Sequence, residues 1–136
     1  MTMREILTQE KACVFEAVDA DTVTRLIDGI FAYAEDYYNR PVSVRITFHG
    51  DVVGQRLGAG MGRTALDELT KMDDWVETHK HSSLYVKEAG LDDRAVGGGF
   101  PLIVNDQVCG SIACTGLGGV KSHTAVYEAI TDLRAW

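Results

Sequence analysis

The side chains able to do chemistry gather in the second half of this chain. Four histidines occur, and two of them, His79 and His81, stand two residues apart. On a helix that spacing sends the imidazoles in different directions and makes a poor chelate; on a strand it would serve. No HExxH pair is present, and Asp73-Asp74 lacks the glycine and the terminal glutamate of a calcium loop. No metal site is expected, and the histidines read as polar surface residues. Ser82, Ser83 and Cys114 are candidate nucleophiles, but none lies in a GxSxG or comparable strained-turn signature. No catalytic residue can be assigned from these patterns.

The glycines say more. Gly97, Gly98 and Gly99 have no side chains to pack, so three in succession imply positive φ or a close approach by another segment. Pro101 pushes Phe100 towards extended geometry. Asn105-Asp106 then separates two apolar runs, and both residues tolerate the left-handed conformation of a two-residue hairpin turn. From Gln107 to Thr115 the chain alternates, with Val108, Gly110, Ile112 and Cys114 on one side. A second glycine loop, residues 116–119, ends that strand, and Lys121-Ser122-His123 opens a helix. A helix start beside a glycine loop suits an anion. Lysine here is not preceded by glycine, so this is not a nucleotide phosphate loop. Ser122 is the expected helix cap, worth about 1 kcal/mol.

The string GGGFPLIV, then VCGSIACTGL, then His123 followed by VYEAI, with HSSLYV upstream, resembles the GlcG/HbpS-like haem-degrading domain family, and within it a short branch. The likeness is clearest over residues 79–130. It implies a profilin-like three-layer α/β sandwich, homo-oligomeric assembly and, in some members, binding of haem or another small molecule, with no one reaction. On the matching motifs it implies a ligand site from His81, Ser82, Ser83, Gly98, Gly99, Phe100, Thr115, Lys121 and His123. If haem binds, His81 or His123 is the axial candidate, because each sits in a family-like motif. No CxxCH attachment motif occurs and neither proline follows a cysteine, so haem rests on the resemblance alone. Two departures matter. The family branch is rich in arginine and lysine before the His-Ser-Ser motif, where this chain has Lys71 and then Met72, Asp73 and Asp74. The family also has an acidic residue before its motif histidine, where this chain has Ser122. An acid–histidine relay therefore does not carry over.

The whole chain bounds these readings. Its 136 residues suit one domain, residues 1–136, with a core sufficient to fold without metal or disulfide. A formal net charge of −7 argues against binding a phosphate backbone. The amino terminus has no signal-peptide pattern and no apolar run reaches membrane-spanning length, so neither membrane nor export is expected. Cys13, Cys109 and Cys114 are odd in number with no CxxC spacing; a cytoplasmic chain with reduced, mostly buried cysteines is expected.

The elements that must position the candidates follow from periodicity. A short helix is expected over residues 3–10 and a brief strand between Ala12 and Val18. A long helix follows, capped by Asp21, carrying Val23, Leu26, Ile27, Ile30, Phe31, Ala34 and Tyr38 on one face and stopped at Asn39-Arg40-Pro41. Val42, Val44, Ile46 and Phe48 alternate as a half-buried strand, with Arg45 a solvated charge on its polar face. Residues 49–51 turn the chain into a second strand. A glycine loop, residues 58–62, lacks dinucleotide spacing. A helix from Arg63 carries Leu66, Leu69, Met72 and Val76, and residues 82–96 read as its ending and a loop. The two hairpins predict a mainly antiparallel sheet flanked by helices, an α/β (α+β) sandwich. The expected function is small-molecule binding beside the late hairpin, for haem or a small carboxylate or phosphate. The alternatives are an assembly protein whose motifs serve an oligomer interface and, last, a haem-degrading enzyme.

Overall fold

Pattern becomes architecture in the structure, a computed structural model in which residues 1–134 are described. In chain order the elements are α1 (Met3–Glu10), β1 (Val14–Phe15), α2 (Ala20–Tyr38), β2 (Ser43–Phe48), β3 (Asp51–Arg56), α3 (Arg63–His79), α4 (Ser83–Glu88), β4 (Gly99–Val104), β5 (Gln107–Thr115) and α5 (Gly119–Arg134). The strands form one five-stranded sheet in the order β1-β4-β5-β2-β3. Every pairing is antiparallel except β1 with β4. No helix among the described residues is long and apolar enough to cross a membrane.

Both hairpins turn as their residues require. His49 and Gly50 have φ of 51° and 83°, and Asn105 and Asp106 have 52° and 63°. Two successive positive φ values match the right-handed twist of the flanking strands, so each turn fixes its register. The long helix starts two residues earlier than expected. Asp19, rather than Asp21, is the cap, its carboxylate accepting from the Thr22 amide at 2.8 Å. Asn39 closes the helix at φ 49°, a conformation asparagine tolerates.

Three layers result. Helices α2 and α5 share a large apolar core with one face of the sheet, built around Leu26, Ile30, Ile46, Phe100, Ile112 and Ile130. Helix α3 covers the other face, where Leu69 and Met72 pack on Ala113. With helices on both sides, β2 is buried through its middle rather than half-buried: Val44 and Ile46 face the large core, while Thr47 is buried beneath α3. This is the physical reason that Arg45 is not a solvated charge. Its side chain is only 13% exposed; its guanidinium reaches Asp73 at 3.4 Å, Gln55 at 2.8 Å and Thr70 at 2.9 Å. Ser111 donates to Asp73 at 2.5 Å and Thr47 donates to the same carboxylate at 3.4 Å, so α3 is fixed to the sheet by a satisfied polar cluster. Burial pushes the Asp73 carboxyl up, against the lowering effects of Ser111 and Arg45.

Residues 82–96 also differ from expectation. They begin with a separate helix, α4, because Ser82 caps it by accepting from the Tyr85 amide at 3.2 Å and because Leu84 and Val86 bury against the body. Gly90, at φ 70°, then breaks it.

Candidate functional site

The two glycine loops meet. Gly98 has φ 135°, and a Cβ there would run into the Cys114 carbonyl oxygen. Its own carbonyl accepts from the Cys114 amide at 2.9 Å, tying the entry of β4 to the end of β5. A Cβ on Gly97 would meet the carbonyl oxygen of Gly119 at 2.5 Å, so the first loop lies against the start of α5. This close packing of backbone is why side chains are missing at these positions.

A cleft of about 460 Å³ opens between those loops and α3. Its walls are Glu68, Lys71, Met72 and Trp75 from α3; Arg94, Val96 and Gly97 from the loop after α4; and Thr115, Gly116, Gly118 and Ser122 from the end of β5 to the first turn of α5. A second hollow of about 380 Å³ shares Lys71, Trp75 and Arg94 with the first and continues along α3 past Asp74, Thr78 and His79. Both volumes lie in the ligand-pocket range of about 300–1,000 Å³. The helical spacing of residues 68, 71, 75 and 78 puts these side chains on one stripe of α3.

The charges are unevenly committed. The Thr115 hydroxyl donates to Glu68. Asp92 accepts from the Trp75 indole at 3.2 Å and from Arg94 at 3.2 Å. Hydrogen bonds from Arg94 hold the Asp92 carboxyl down to about 2, so it is ionised at any working pH. Lys71 has no ion-pair partner among the described residues.

Of the nine residues expected at a site, Thr115 lines the cleft and the others line neither hollow. Ser83 accepts from the Gly99 amide at 2.8 Å and so supports the glycine loop from behind. The Ser82 amide donates to Glu10 at 2.6 Å, and His81 Nδ1 lies 2.9 Å from the same carboxylate with its ring stacked on Tyr85. Lys121 places its ammonium 5.2 Å from the Tyr38 ring centroid. His123 is fully buried, not a surface residue; its ring packs 4.5 Å from that of Phe100. Burial lowers its pKa to about 4, so the imidazole is neutral. Ser122 is the fourth residue of α5 and does not cap it; its hydroxyl accepts from the Leu117 amide at 3.4 Å.

Cys13 and Cys114 are buried and Cys109 is half-buried. Burial pushes the Cys114 thiol up to about 12, which removes it as a nucleophile near neutral pH. Glu68, Trp75 and Arg94 were missed by motif reading because they sit on polar helix and loop positions with no special spacing. The one signal was Trp75, a large aromatic four residues after Lys71 on the polar side of the helix.

Fold and cleft together define a mixed α/β domain with an open, ligand-sized groove at its glycine-loop end. A family model described as "Haem degrading protein HbpS-like" matches residues 18–131, and the chain belongs to that family. No curated protein sequence matches it. Among solved structures it is similar to the Ybr137w protein, with a TM-score of 0.85 at 16% identity, over 99% of this chain and 88% of that one. It is also similar to a double mutant of Streptomyces reticuli HbpS, with a TM-score of 0.69 at 17% identity over 85% of this chain and 86% of the other. A third structure, titled as a PduOC:heme complex, gives 0.69 at 18% identity, over 85% and 94%. At such identities the likeness establishes the fold.

Proposed function

We propose that this chain is a small-molecule-binding domain that takes a planar organic anion, of the haem-related tetrapyrrole class, in the groove along α3. The observation that carries the reading is the joint between the two hollows, where Lys71 and Arg94 stand with Trp75. Cations of this kind pair with carboxylates, and an indole offers a flat apolar face. Membership of the HbpS-like family and a structural neighbour crystallised with haem support the ligand class. Lys71, without an ion-pair partner among the described residues, is the cation placed for a carboxylate, and Trp75 and Val96 offer apolar surface for a ring. No reaction is assigned.

In this reading the domain spans residues 1–136 and works as a cytoplasmic homo-oligomer. Gly98, Gly99 and Ser83 support the cleft from behind, Phe100 anchors β4 in the large core with His123 packed on it, and His81, Ser82 and Lys121 hold the surrounding helices. An assembly role is the second reading. Val96 and Val120 are 44% and 50% exposed beside the paired glycine loops, an apolar rim that suits another copy of the chain.

Titration of haemin and of simple aromatic carboxylates into the purified protein, followed by tryptophan fluorescence, tests the reading. A saturable quench is expected, weakened about tenfold in Lys71→Glu and in Arg94→Glu. If haemin and the carboxylates give no saturable response, the binding function is rejected. Light scattering on Val120→Glu, showing dissociation of a protein that gives no saturable response to haemin or the carboxylates, would favour assembly instead.

A further inference from the structure

We infer that His79 is the residue of this chain that bonds the iron when the groove holds haem, with Lys71 taking one carboxylate further back along the same helical stripe. The inference rests on the binding role proposed above and deepens it, by naming which part of the ligand each end of the groove receives. Haem iron is held by histidine, cysteine, methionine or tyrosine. Of these types, only Met72 and His79 line the two hollows. Met72 is 3% exposed and packs with Leu69 and Ala113 between α3 and the sheet, which leaves His79.

The four histidines are not equivalent. His49 stands at the β2–β3 turn with its ring against Phe48 and lines neither hollow. His81 is paired with the buried carboxylate of Glu10. His123 is paired with Gln9; its Nδ1 has no partner, but the residue is fully buried and lines neither hollow. His79, the last residue of α3, is half-buried in the wall of the outer hollow. Neither of its ring nitrogens has a hydrogen-bond or ion-pair partner among the described residues. A neutral imidazole with an open lone pair is the commonest metal ligand among side chains.

Lys71, Trp75 and His79 recur at every fourth position of α3, so they share one stripe. From the first to the last the helix rises by about 12 Å. Trp75 stands between them, its indole held by Asp92. Charge separates the two ends. Arg94 is already engaged by Asp92, so Lys71 is the free cation of the groove and serves one carboxylate. Beyond it the outer hollow carries Asp74 with His79, a wall that suits the positive ferric centre of haem better than a second carboxylate. Glu68, in the inner hollow, is engaged by the Thr115 hydroxyl. Donor type, free lone pair and place in the groove thus fit a single protein bond to iron.

The experiment titrates haemin and metal-free protoporphyrin IX separately into the full chain, by tryptophan fluorescence, and records visible and electron-resonance spectra of the haemin complex. Haemin should bind at least about tenfold more tightly than the metal-free porphyrin. In His79→Ala that preference should vanish while the metal-free affinity stays within about twofold, which shows that the variant is folded. The same change should erase the nitrogen-ligand signature of the iron, and added imidazole should restore it. Lys71→Glu should weaken both porphyrins alike and leave the iron spectrum unchanged. An iron spectrum without a histidine signature, or one retained in His79→Ala, would overturn the inference and leave the binding function standing. Loss of both porphyrins in His79→Ala alone would make the residue structural and overturn it too. Binding of neither porphyrin to the wild type would overturn the inference and the binding function together.

Discussion

The Nε2–H of His123 donates to the side-chain oxygen of Gln9 across 2.8 Å, so one buried imidazole joins the last helix to the first. An amide oxygen can only accept, which assigns the proton to Nε2 and leaves Nδ1 as a bare lone pair. No described residue meets that lone pair. Gln9 is followed by Glu10, which accepts from Ser82 and pairs with His81. Two neighbouring residues of α1 thus hold both motif histidines.

Protonating His123 inside this contact is unfavourable. Its folded pKa is about 4, against 6.5 for the free side chain. Between those values the unfolded chain binds the extra proton and the folded chain does not, so stability falls as pH drops from about 6.5 to about 4. The depression corresponds to a loss on the order of 3 kcal/mol across that window. Urea unfolding of the wild type and of His123→Gln at pH 7 and pH 4.5 checks this. The variant should lose less stability on acidification than the wild type; parallel losses would reject the assignment.

Asp73 acts in the opposite sense. Its folded pKa is raised, so its burial as an anion disfavours the fold at neutral pH, and the penalty is relieved as pH falls through that raised value. Asp73→Asn keeps the polar contacts to Ser111 and Thr47 and should cost about 1 kcal/mol. Asp73→Ala leaves the Arg45 guanidinium largely buried without its partner and should cost about 3 kcal/mol. Chemical denaturation of both variants gives the comparison, and an equal cost would show that the cluster does not hold α3 to the sheet.

Close approach at the glycine loops predicts a sharp contrast between two conservative changes. Gly60, at φ 75°, has open space where a Cβ would go, so Gly60→Ala pays only for backbone strain, about 1 kcal/mol. Gly98→Ala adds a collision with the Cys114 carbonyl oxygen and should cost at least about 3 kcal/mol. Thermal melts read the difference as a drop several degrees larger for Gly98→Ala. Similar melting temperatures for the two variants would mean that the loop is not locked to β5.

Much of the fold was legible in order along the chain. Asn105-Asp106 produced the expected two-residue turn, and the turn expected over residues 49–51 is made by His49 and Gly50 alone, because turn geometry depends on the residues in it. The apolar rows of α2 and β5 likewise identified the large core, since period is a property of the segment itself. Helix α4 was missed: six residues between a helix and a glycine are too few for periodicity to register.

What the sequence determined by itself was therefore every element but α4, the hairpins and the family. It left the groove unread. Lys71, Trp75 and Arg94 come together only when the segment after α4 folds back over α3, and that return is set by long-range packing rather than by neighbouring residues. The fate of Arg45 was decided in the same way. Whether a charge on a strand meets water or a carboxylate depends on which helix covers that face, and here Asp73 on α3 arrives from a distant part of the chain.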